Sequence, residues 1–253
     1  MGGGDLSCCY REQIAYSLYS KFREPRLYRA AGRIDDWDTI PARCHSHPKE
    51  AAFVHKFAPN DTALHRIFRV VALQCYSVES LTALSIQEKR LAAVSALLSA
   101  HRQAAATRDG FLRTPLHLAC MDSSLPLTSA DATTAAASAA AVQSARLILD
   151  HHPLAACWTD VEKRTPLHFL VARNDHVSPE FLQELIRHSP QAVHLRDAVG
   201  ESPLDIVRRR QEEMVNAVQV LDILHAVAVP GVVAEPAVVE KRHNASARSF
   251  SRE

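Results

Sequence analysis

Asp109-Gly110-Phe111-Leu112-Arg113-Thr114-Pro115-Leu116-His117-Leu118-Ala119 is the stretch whose reading decides the fold. Thr before Pro is a helix start: the hydroxyl accepts a backbone N–H as N-cap, and Pro at the first helical position lacks a donor that would have gone unused there. Leu116 then turns into a core. His117 falls three residues after the cap, where the imidazole reaches back to Thr114 as the acidic partner does in a capping box. The same device recurs as Thr62-Ala63-Leu64-His65, Thr165-Pro166-Leu167-His168 and Ser202-Pro203-Leu204-Asp205. Asp109, Asp160 and Asp197 each precede their own Thr or Ser by five residues, so two markers keep one register. Such self-similarity identifies a repeat before any single element is assigned.

Downstream of each tetrapeptide a second apolar pattern at helical spacing predicts an outer helix: Leu91, Val94, Leu97 and Leu98; Leu147, Ile148 and Leu149; Phe181, Leu182, Leu185 and Ile186. These patterns stop at His101-Arg102, His152-Pro153 and Ser189-Pro190, with His47-Pro48 as a fourth stop, and Pro just past a helix end prevents its continuation. Pro153 to Thr165 and Pro190 to Ser202 are both 12 residues, which gives the connecting turn a fixed length. Leu27-Tyr28-Arg29-Ala30-Ala31 reads as a further inner helix, and Asp36-Trp37 to Cys44 as its outer partner.

Thr114 to Ala119 matches the T-P-L-H-x-A pattern in full, and the chain resembles the ankyrin-repeat family. Asp36-Trp37-Asp38, Arg43 and His47-Pro48-Lys49-Glu50-Ala51 resemble the opening repeat of the long-repeat ankyrin proteins of diatoms and related algae. The resemblance implies an all-α solenoid of about five stacked helix pairs over residues 25–228, preceded by a weakly patterned segment 1–24 and followed by a tail, 229–253, disordered at its end. Successive Thr or Ser positions are 52, 51 and 37 residues apart, against the usual 33, so insertions are expected. They are placed at Cys75–Glu88 and at Met121–Ala141, the second low in complexity and expected to be a mobile loop. The turn position that is usually glycine holds Leu112 and Lys163, which predicts turns of a different shape there.

Aromatic residues are 6% of the chain and hydrophobic residues 47%, a balance that suits close-packed helices better than strands. Lys+Arg 29 against Asp+Glu 28 leaves no global field to draw in nucleic acid or an anionic membrane. Six irregularly spaced cysteines, with no secretory leader pattern, point to an intracellular setting, cytoplasm or nucleus. No run of apolar residues has the length of a membrane span.

Ankyrin-like stacks bind other proteins, so the function expected is a protein-interaction scaffold and not an enzyme, with no cofactor, metal or small-molecule substrate. Turn tips and inner-helix ends are the binding positions that the resemblance implies. The residue before each Thr or Ser and those seven and eight after it include Arg69, Arg113, Met121, Asp122, Arg164, Arg173, Arg209 and Arg210. The arginines suit a partner with an acidic or phosphorylated segment, with Phe111 and Met121 as apolar anchors. Two alternatives stand beside this reading. One is a membrane-tethered adaptor acylated near Gly2, Cys8 and Cys9; the other is a cysteine-dependent enzyme using Cys120 and His117. Cys44-His45-Ser46-His47 has no second ligand pair at a zinc spacing and is read as a helix end.

Overall fold

The computed structural model describes residues 24–55, 60–74, 80–121 and 132–228. It is all-α, with ten α-helices among the described residues and one two-stranded pairing. The helices alternate between two rows. The inner row is α1 (Arg26–Ala31), α3 (Ala63–Gln74), α5 (Pro115–Met121), α7 (Pro166–Arg173) and α9 (Pro203–Arg209). The outer row is α2 (Ile40–Ser46), α4 (Ser80–Ala100), α6 (Ala132–His151), α8 (Pro179–His188) and α10 (Ala217–Ala228). Each helix packs on its predecessor and successor in its own row, so contacts run from one pair to the next along the chain. One continuous core results. Leu64, Leu116 and Leu167 of the repeated tetrapeptides are buried in it beside Val94, Leu97, Ile148, Phe181 and Leu185 of the outer helices.

The expected insertions are in large part helix. α4 begins at Ser80 and α6 at Ala132, so much of the stretch read as a mobile loop forms the first turns of the outer helices. Alanine is the strongest helix former, and Ala137 and Ala141 are buried. Residues 122–131 of that stretch, with Asp122, lie outside the described residues, as do the N-terminal segment to residue 23 and the tail from Val229.

Each outer helix from α2 to α8 stops in the same way. The residue after it (His47, His101, His152 or Ser189) takes φ between −137° and −149°, and a 3-10 turn follows over Pro48–Ala52, Arg102–Ala106, Pro153–Cys157 or Pro190–Val193. Small side chains are buried in these turns: Ala51; Ala104 and Ala105; Ala155 and Ala156; Ala192 with Val193. Larger residues would hold the turn off the next unit, so this is a third repeat marker that sequence reading passed over. Strands β1 (Val54–His55) and β2 (Asp61–Thr62) pair antiparallel between the first two units.

The described residues contain no helix long and apolar enough to cross a membrane.

Candidate functional site

The repeated tetrapeptides do what their chemistry demands. The Nδ1 atoms of His65, His117 and His168 lie 2.8, 2.8 and 2.9 Å from the hydroxyls of Thr62, Thr114 and Thr165, and accept the backbone N–H of the same Thr. With Nδ1 accepting, the proton belongs on Nε2. From there His65 donates to the Arg113 carbonyl at 3.1 Å and His117 to the Trp158 carbonyl at 3.1 Å, each in the next unit. The His168 ring sits against the Leu195 and Glu201 backbone, where its Nε2 closes no bond of good geometry. Burial drives the neutral form in all three; opposing it, Asp160 and nearby carbonyls favour the proton at His117, yet its pKa falls to about 4. In the last copy Asp205 takes the imidazole's place and bonds Ser202 N and Oγ at 3.0 and 2.7 Å.

The turn before each inner helix is organised by its aspartate. Asp109 Oδ1 accepts the Phe111 and Arg113 N–H groups, Asp160 Oδ1 those of Glu162 and Arg164, and Asp197 Oδ1 those of Val199 and Glu201, all at 2.8–2.9 Å. Successive tips are joined, because Val161 N–H donates to the Phe111 carbonyl at 3.0 Å and Ala198 N–H to the Glu162 carbonyl at 2.8 Å. The expectation of differently shaped turns at Leu112 and Lys163 does not hold. Both adopt the left-handed backbone, with φ of 59° and 61°, at the position where Gly200 has 91°. A non-glycine residue there costs on the order of 1 kcal/mol, which the two carboxylate bonds offset.

The arginines chosen from the sequence do lie along this edge, but most are held by their own chain. Arg69 bridges Asp61 at 3.2 Å and Asp109 at 2.7 Å, and Arg113 Nε donates to Asp109 at 2.9 Å. Arg164 pairs with Asp160 and Glu162 at 2.8 Å, and Arg209 with Glu201 at 2.9 Å. Burial alone would raise the Asp109 carboxyl; Arg113, its backbone N–H and Arg69 outweigh that and hold it below the usual carboxylate range.

Arg210 is a correction to the expected surface. It is buried, and its guanidinium donates to the Val171 and Asn174 carbonyls at 2.9 and 3.1 Å and to Asp175 at 2.8 Å, clamping the last helix pair to the one before. Arg173 is exposed at the end of α7, with no ion pair among the described residues. Met121 is half-buried against the core. Phe111 is exposed at 36%, and Arg113 lies over its ring at 4.5 Å.

Sequence reading missed a row of apolar tips. Leu112 is 44% exposed, Val161 53% and Val199 85%, on turns otherwise closed by their own hydrogen bonds. The signal was present in the sequence, since turn tips are seldom apolar.

No group of three or more potential metal ligands occurs among the described residues. Cys120 is wholly buried and burial pushes its thiol up; burial also raises Cys44, to about 11, with Glu50 adding to the effect. A nucleophilic thiolate needs the opposite environment. Gly2, Cys8 and Cys9 lie outside the described residues. Compared with known proteins, the chain matches no protein-family model, and no curated protein is significantly similar to it.

Proposed function

We propose that the chain is an ankyrin-type solenoid that binds a partner protein on the face made by its turn tips and inner helices. The observation that carries this reading is the row of joined tips. Its backbone groups are matched internally through Asp109, Asp160 and Asp197, while Phe111, Leu112, Val161 and Val199 stay exposed. Exposed apolar side chains on a rigid, hydrogen-bonded frame suit recognition, because little conformational freedom is lost on binding. The ankyrin assignment is supported by the capped inner helices, by the aspartate turns and by packing that, among the described residues, runs chiefly within a pair and between successive pairs. Burial of Cys120 supports a scaffold over a thiol enzyme.

Quantitative affinity purification from the native cell tests the proposal, comparing the wild-type chain with Arg173→Glu combined with Val199→Glu. Both positions are exposed, so the melting temperature should not move. A specific protein recovered by the wild type and lost from the variant is the expected result. Identical recoveries would place any binding off this face.

A further inference from the structure

Leu112 and Lys163 occupy backbone that disfavours them, yet both side chains stay largely at the surface. The third turn shows what the fold itself needs there: Gly200 makes the same turn, its N–H donating to the Asp197 carbonyl at 3.1 Å. Leu112 and Lys163 donate equivalently to Asp109 and Asp160 at 2.9 and 3.1 Å, so glycine would serve equally. Yet Leu112 is 44% exposed, and Lys163 is exposed with no ion pair among the described residues. A strained side chain that the fold does not use points to a use outside it.

Their neighbours suggest what that use is. Phe111 precedes Leu112, and the Phe111 carbonyl accepts the Val161 N–H, which brings Val161 beside the same tip. Arg113 and Arg164 carry charge already matched by Asp109 and Asp160. Arg108 is half-buried and spends its guanidinium on the Leu112 and Thr159 carbonyls, which leaves Lys163, next to an apolar cluster, as the exposed cation without an ion pair at the two tips among the described residues. We propose that Phe111, Leu112, Val161 and Lys163 form an epitope for an apolar partner segment that carries a carboxylate beside its apolar residues. This rests on the protein-binding reading above and replaces an acidic or phosphorylated partner segment with an apolar one bearing a single matched charge.

The test uses the full chain, immobilised, and random dodecapeptides displayed on phage. Enriched peptides should join apolar residues to an Asp or Glu. A selected peptide should bind Leu112→Gly and Lys163→Gly at least about tenfold more weakly, with its salt dependence reduced only in Lys163→Gly. The melting temperature of both variants should hold or rise by about 2 °C as strain is relieved. Leu154→Ser, an exposed apolar residue outside the tips, should bind as wild type. Glycine variants that melt lower would overturn the strain argument. Tight binding of a polyglutamate peptide, unaffected by Leu112→Gly, would overturn the apolar partner. A homodimer by sedimentation that dissociates in Leu112→Gly would show a second copy to be the occupant instead. Peptides that bind both glycine variants normally would overturn this epitope while leaving the protein-binding reading standing, and no enrichment at all would count against both.

Discussion

Mild acid should unlock the repeat units through their buried histidines, and His117 allows the effect to be sized. Its pKa lies at about 4, against 6.5 for an unhindered imidazole, chiefly because burial penalises the charged ring. The neutral form is therefore favoured by folding. Its contribution is fully present above pH 6.5 and is lost as pH falls, because the unfolded chain takes up a proton that the folded chain refuses. At pH 5 the unfolded imidazole is almost fully protonated and the folded one hardly at all, a difference of roughly 2 kcal/mol for this residue. His65 and His168 shift in the same direction and add to the loss. Asp109 does not confuse the window, since its lowered pKa places its own loss below the ordinary carboxylate range. Urea unfolding at pH 7.5 and 5.0, for wild type and His117→Gln, measures the term: glutamine keeps the capping chemistry without the titration. The wild type should lose about 2 kcal/mol more than the variant over this interval. Equal losses would refute the assignment of a buried, neutral His117.

Further outcomes follow from the packing. Arg210→Met should cost about 2–3 kcal/mol by stranding the Val171 and Asn174 carbonyls, with hydrogen exchange accelerated first in α9 and α10. Deleting Ala132–Ser138 should lower the melting temperature by several degrees and broaden the transition, because it removes two turns of α6 with buried Ala137; an unchanged melt would show that these turns are dispensable. Residue-resolved thiol labelling of the native chain should modify Cys157, which is partly exposed, well before Cys44 and Cys120.

What the sequence disclosed depended on how local the signal was. The cap from Thr114 to His117 and the turn marker Asp109 are short-range devices whose residue types state their own hydrogen bonds, so the repeat and the inner helices were legible. The outer helices were legible where apolar residues keep a helical period, as from Val94 to Leu98. They were not legible over Ala132–Ala141, where alanine-rich sequence has high helix propensity but no periodic contrast between faces. Arg210 was misplaced because position counting sets a residue on a face without saying whether a carbonyl waits beneath it. The pairing of the arginines was not legible either. Counting Arg69, Arg113 and Arg164 as surface charge ignored the aspartates that the same repeat places at hydrogen-bonding distance.

The bonds from His65 and His117 point one way, each from a unit to the backbone of the unit after it. Neither imidazole is satisfied until the following unit is in place, so the caps of these two inner helices are completed by their successors and do not stand alone. Asp205 behaves differently. Its carboxylate is satisfied by Ser202 within its own turn and draws on no neighbouring unit.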